Sequence, residues 1–313
     1  MELNTSNISR KKFLHTCRSV LAVGSIAGVS TVALVKSIKK SASEDEYIDN
    51  EAPMIDAPYK LTTSFGVDGD INGFELWEDK LIVATQNKVQ MFTSSGDLLN
   101  SFAIGGDLRD ITVYNDHIFM LFPKRVEVCY LDGESICKWE AYSDNSDYCS
   151  FAVASGSVFV TDAANKEICK YSADGNFIKT IKSPNRFIIP SYTFGIICMD
   201  GVVYCSNSGR HQIEMFTPDG DYLGAFGQAG AQAGSFCGCC NPVHLTVAPD
   251  GNIITSEKGI PRISYYGKDG QFHNILLDSR ALGGGNKAYD VKILNDKLFV
   301  AGKNKVSTFQ YNV

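Results

Sequence analysis

Three thiols fall within four positions of the run Phe236-Cys237-Gly238-Cys239-Cys240-Asn241-Pro242-Val243-His244. Thiols packed beside an imidazole make a soft-donor set, suited to a thiolate-bound metal or an iron–sulfur centre. The same thiols suit redox exchange if a cation holds one of them as thiolate. Such cations stand close by in Thr255-Ser256-Glu257-Lys258-Gly259-Ile260-Pro261-Arg262. The C-x-C-C spacing differs from the C-x₂-C pairs of structural zinc sites, so zinc is not directly indicated. Adjacent Cys239 and Cys240 lie too close along the chain for an ordinary disulfide. Cys237 has Cys239, Cys240 or the distant Cys149 as alternative partners. The competing reading is a loop pinned by one disulfide beside a buried thiol.

These loops need a scaffold, and the rest of the chain supplies a repeating one. Turn pairs recur at Asp132-Gly133, Asp174-Gly175, Asp200-Gly201, Asp219-Gly220, Asp250-Gly251 and Asp269-Gly270. Each lies between short runs rich in Val, Ile, Phe and Tyr, the signature of a β-hairpin. Ser95-Gly96 and Asn295-Asp296 fill the same role in other units. Aligning the units places Gly73, Asp110, Ser150, Phe194, His244 and Asp290 at one repeat position, separated by 37, 40, 44, 50 and 46 residues. Strand-only repeats of this period predict four-stranded propeller blades. Residues 288–313 hold three strands and Tyr59 to Phe65 a fourth, so joining them completes a sixth blade and hides a sheet edge.

The units resemble NHL repeats of a six-bladed, TolB-like β-propeller. The clearest copy runs Gly234-x-Phe236, Pro242, Val247, Asp250-Gly251, Ile253, Arg262-Ile263 and Asp269-Gly270. Only units three to five carry clear motifs; the others follow from spacing. Some propellers of this kind are lyases that hold zinc with several channel histidines, whereas here His244 alone falls at an inner-strand position. In a propeller, the loop entering the innermost strand and the loop joining the second and third strands share one face, where function gathers. That places Asn241, Glu257, Lys258, Arg262, Asp110 and Asp290 on the binding face beside the metal or redox candidates Cys237, Cys239, Cys240, His244 and Cys149. The cysteines at 129, 137, 169, 198 and 205 lie in apolar strand runs and read as core packing. His117, His211 and His273 have no ligand-spaced partner and read as structural or exposed.

The 313 residues carry a net charge of −6, unevenly spread. Residues 1–43 hold seven Lys and Arg against one acid, and the remainder carries −12. An acidic body lacks the clustered cations that neutralise phosphates, which argues against nucleic-acid binding. The segment Ser9-Arg10-Lys11-Lys12-Phe13-Leu14 precedes seventeen uncharged residues, Ser19 to Val35. A basic start followed by an apolar run is an export feature. Ser9, Arg10, Lys11, Phe13 and Leu14 resemble a twin-arginine signal with lysine in place of its second arginine. Ser41-Ala42-Ser43 offers a cleavage site; uncleaved, residues 19–35 would form a helix touching the membrane. The expected organisation is therefore an export signal or anchor over 1–43, a tether over 44–58 and a propeller over 59–313.

Taken together, the sequence predicts an exported, monomeric propeller in the periplasm or anchored to the inner membrane and facing it. It is read as a binding module for a protein or small molecule, with a thiol loop that holds a metal or serves a redox partner. A metal-dependent enzyme of lyase or hydrolase type, working in the channel, is the first alternative. A scaffold whose loop cysteines are only structural is the second. No Ser-His-Asp order, phosphate loop or H-E-x-x-H motif supports nucleotide or protease chemistry.

Overall fold

The protein, seen here as a computed structural model, is described over residues 57–311. The expected export segment, the helix expected over its apolar run and nearly all of the expected tether lie outside those residues. Among the described residues, 24 strands form six four-stranded antiparallel sheets with almost no helix. No helix among them is long and apolar enough to cross a membrane. The architecture is all-β and six-bladed.

Each blade starts at the centre. The innermost strands are β2 (Ile71–Trp77), β6 (Asp110–Tyr114), β10 (Tyr148–Ala154), β14 (Ile196–Met199), β18 (His244–Val247) and β22 (Asp290–Leu294). Each touches the innermost strand of the next blade, and β22 touches β2, so the ring closes. Second strands such as β7 (His117–Phe122, sequence HIFMLF) are apolar nearly throughout and almost wholly buried. A strand covered on both faces by neighbouring blades has no use for polar alternation. Outer strands such as β13 (Phe177–Ile181) are mostly exposed.

The hairpin glycines explain how blades register against each other. Gly133 and Gly175 end the hairpins between third and fourth strands with φ of 91° and 84°. A Cβ on Gly133 would meet the Phe102 ring at 2.6 Å, and one on Gly175 the Trp139 ring at 2.5 Å. Gly96 against Phe65 and Gly270 against Phe226 repeat the contact. Glycine thus serves twice, allowing left-handed backbone and letting an aromatic of the preceding blade lie flat on the turn.

In the sixth sheet, strand β1 (Tyr59–Gly66) pairs antiparallel with β24 (Lys305–Tyr311), from Tyr59 opposite Tyr311 to Gly66 opposite Lys305. The register slips once between Leu61 and Thr63. Strands from opposite ends of the described chain therefore share one blade, with β1 covering the outer edge of β24.

Candidate functional site

A cavity of about 530 Å³ occupies the centre of the ring. Alternate residues of a strand point the same way, so positions two apart on each innermost strand face it together. Asp110 and Thr112, His244 and Thr246, and Asp290 and Lys292 line it in this manner, joined by Glu75 and Ser150. The shared repeat position thus puts Asp110, Ser150, His244 and Asp290 around one space. Phe194 departs from the pattern. It precedes β14 and lines the cavity too, but its ring is buried against Phe187, ring centres 4.8 Å apart, in the core between blades three and four.

The deep end of the channel is a charged network. Asp110 Oδ1 accepts the Ile111 N–H at 2.8 Å, and Oδ2 accepts the Ser150 hydroxyl at 2.7 Å. Asp290 Oδ1 accepts the Val291 N–H at 2.8 Å. Lys292 pairs with Glu75 at 3.3 Å, and Thr112 donates to Glu75 Oε2 at 2.9 Å. Burial, then repulsion from Asp290, pushes the Asp110 carboxyl up to about 7. Burial pushes the His244 imidazole below its usual range, more than Asp290 restores, so it is neutral at physiological pH. Burial opposes the Lys292 charge, but Glu75, Asp290 and Asp110 outweigh it and hold the ammonium. The channel therefore offers one carboxyl that holds its proton up to about 7, one neutral imidazole and one fixed ion pair within a single cavity.

The two loops singled out by sequence reach the cavity only through Val243, His244 and Lys258, and their other residues take unexpected roles. Glu257 and Arg262 do not face a ligand. They are buried and joined at 2.6 Å through Arg262 Nε and at 3.0 Å through Nη2. Arg262 also donates to the Ala231 carbonyl at 2.8 Å and to that of Ser235, while Glu257 accepts the Cys237 N–H at 3.2 Å. This pair clamps the loop from inside. Asn241 is likewise buried, donating to the Cys237 and Lys258 carbonyls at 2.6 and 2.7 Å and accepting the Lys258 N–H at 2.9 Å. Of these four, only Lys258 lines the cavity, its ammonium 3.3 Å from the Thr193 hydroxyl.

The expected ligand set does not assemble. Among the described residues, no three His, Cys, Asp or Glu side chains come close enough to share a metal. The Cys237 thiol turns to the Lys258 carbonyl at 3.8 Å, and Cys149 to the Asp147 carbonyl at 3.7 Å. Cys239 and Cys240 pair with each other, and His244 faces the channel. A thiolate metal or iron–sulfur centre needs these groups around one point, so they do not fit one. The body cysteines among the described residues are free thiols, so the single-disulfide reading of the loop is absent as well. Cys129, Cys169 and Cys205 are buried as expected, but Cys198 lines the channel, its thiol pushed up to about 12 by burial.

Sequence reasoning missed Glu75, Thr112, Thr246 and Lys292. Their signal was present: each lies two residues beyond a position already aligned, on the same strand face. His211, read as structural or exposed, takes a structural role: its Nε2 lies 2.6 Å from the Gly238 carbonyl and pins the thiol loop. No sequence signal joins His211 to Gly238.

No protein-family model and no curated protein sequence matches the chain. Solved structures do. Virginiamycin B lyase from Staphylococcus aureus is 12% identical over 80% of this chain and 99% of its own, with a TM-score of 0.55. A gluconolactonase from Xanthomonas campestris is 13% identical over 83% and 96%, TM-score 0.58. The WD40 propeller domain of Doa1 is 13% identical over 81% and 97%, TM-score 0.55. At these identities the likeness is one of fold, and fold does not select function.

Proposed function

We propose that the protein is an NHL-type propeller that binds a small polar molecule rich in hydrogen-bond donors in its central channel. The observation that carries this reading is the convergence of Asp110, Asp290 and His244, from three separate blades, on one cavity of about 530 Å³. That volume falls in the usual range for small-molecule sites, and a few polar groups converging in it fix a ligand's orientation. Asp290 spends one oxygen on the Val291 N–H and turns its carboxylate to the cavity, and His244 presents a neutral ring there. Both accept from ligand hydroxyl or amine groups. At the mouth, Ser191 and Tyr192 both take φ of 55°, leaving Tyr192 exposed at the cavity rim. Non-glycine residues in that region cluster at binding sites because surrounding structure must hold them there.

A panel of free sugars, sugar lactones and primary amines, screened by thermal shift, tests the reading. At least one class is expected to raise the melting temperature of the native chain, with the gain lost in Asp290→Asn and in His244→Gln. A gain that survives both substitutions places the ligand elsewhere and sinks the proposal. A second reading, a metal-free acid/base enzyme, is favoured by one feature: Asp110 exchanges its proton near neutral pH in a cavity that also holds a neutral imidazole. Turnover of a bound compound that Asp110→Asn abolishes while leaving binding intact would select it.

The channel reading is joined to a proposal about placement. The basic start at Ser9, Arg10 and Lys11 with Phe13-Leu14, followed by uncharged residues 19–35, supports export of the propeller to the periplasm or its attachment to the inner membrane.

A further inference from the structure

The channel reading leaves one chemically distinctive pair unused. The Cys239 and Cys240 sulfurs lie 3.1 Å apart. Cys239 is exposed, whereas Cys240 is 1% exposed. The loop that carries them is held from three sides, by Asn241, by His211 and by the Glu257–Arg262 clamp. Lys258 and Ser191, which both line the channel, act electrostatically on the Cys240 thiol. Burial resists a charge on Cys240, but hydrogen bonds from Lys258 and Cys239 outweigh it and bring its thiol below the ordinary range. Cys239, which donates to Cys240, is held above it. Burial pushes Cys237, Cys149 and Cys198 up instead, as expected for inert thiols.

We propose that Cys239 and Cys240 form a redox-active dithiol that exchanges with low-molecular-weight disulfides, Cys239 as the entry thiol and Cys240 as the resolving thiolate. In the first step Cys239 loses its proton to solvent and its sulfur attacks one sulfur of the incoming disulfide. The disulfide's S–S bond breaks, and one small thiolate leaves and takes up a proton. Cys240 thiolate then attacks the Cys239 sulfur in this mixed disulfide, forming the Cys239–Cys240 bond and expelling the second small thiolate. One disulfide is reduced to two thiols, and the protein dithiol is oxidised by the same two electrons. Consecutive Cα atoms stand about 3.8 Å apart, short of the roughly 4.4–6.8 Å that disulfides prefer. The product is therefore strained and readily reduced, which is the property of exchanging disulfides as opposed to structural ones. Lys258 lines the cavity and its charge favours the Cys240 thiolate, so oxidation would remove the charge that Lys258 neutralises.

The test uses the purified full-length chain, oxidised glutathione in large excess and free of the reduced form, which drives even a strained disulfide to form, and mass analysis of the peptide spanning the loop. The native chain is expected to yield a peptide lighter by two hydrogens, with no lasting glutathione adduct. Cys240→Ser, with Cys240→Ala as a second variant should either fold poorly, is expected to stop at a glutathione adduct on Cys239. Cys239→Ser should give neither product. Lys258→Met should lengthen the adduct's lifetime by about tenfold or more, because the resolving thiol is then largely protonated. An unreactive Cys239 overturns the proposal. So does a native chain that retains the adduct as long as Cys240→Ser, or a bond from Cys237 in place of Cys240. None of these outcomes bears on ligand binding at Asp290 and His244, so the two readings fail separately.

Discussion

Asp110 and Asp290 occupy one strand position in two blades, with the first blade between them. Each folds an oxygen back onto the next backbone N–H, and the two carboxyls feel each other across the channel. The folded Asp110 holds its proton up to about 7, where the free side chain holds it only to 3.8. A group whose pKa rises on folding stabilises the fold fully below the unfolded value and loses that contribution as pH climbs through the folded one. Stability should therefore fall between about pH 4 and pH 7, by on the order of 2–4 kcal/mol from this group alone. Urea titrations across that range check it: Asp110→Asn should show a flatter profile than the native chain. Parallel profiles would mean that Asp110 titrates normally. In the same channel Lys292 and Glu75 form a fixed ion pair, which leaves the Asp110 proton as the variable one.

Blade-to-blade contact is made at hairpin tips. Gly175 lies on Trp139 and Gly133 on Phe102, each ring belonging to the outer strand of the preceding blade. Gly156 offers a control, since it has φ of 72° but nothing within 4 Å of where a methyl group would stand. Gly156→Ala should cost only the backbone strain of a left-handed residue, about 1–2 kcal/mol. Gly175→Ala adds overpacking of the indole, for a further loss of about 1–3 kcal/mol. Thermal unfolding of both variants separates the two contributions; equal losses would show that the tryptophan contact carries no stability. At this scale the sequence was legible. Asp-Gly pairs between apolar runs specify hairpins through local φ requirements, and those are fixed by residue type. The aromatic beneath each glycine was not legible, because it comes from another blade.

A closed ring has consequences for the whole chain. Strand β1 seals the sixth blade, so the sheet completes only after the described chain's last strand is available. The proposed export by a twin-arginine-like signal agrees with that constraint, since such a route moves proteins already folded. Fractionation of expressing bacteria should place the propeller outside the cytoplasm, and Arg10→Ala with Lys11→Ala should retain it inside. Equal distribution of both chains would remove the export reading. What the sequence determined by itself was the repeat: strands, turns, six units and the strand position shared by Asp110, His244 and Asp290. These depend on period and on backbone preferences that act over a few residues. Tertiary structure alone decided the chemistry. Glu257, Arg262 and Asn241 read as binding groups in the sequence, yet burial turned them into the clamp of a loop. The three loop thiols read as one donor set, yet Cys237 faces a carbonyl while Cys239 and Cys240 face each other. Spacing along a chain gives which residues lie near one another. The direction of each side chain depends on what packs around it, and here that came from loops and strands of different hairpins and blades.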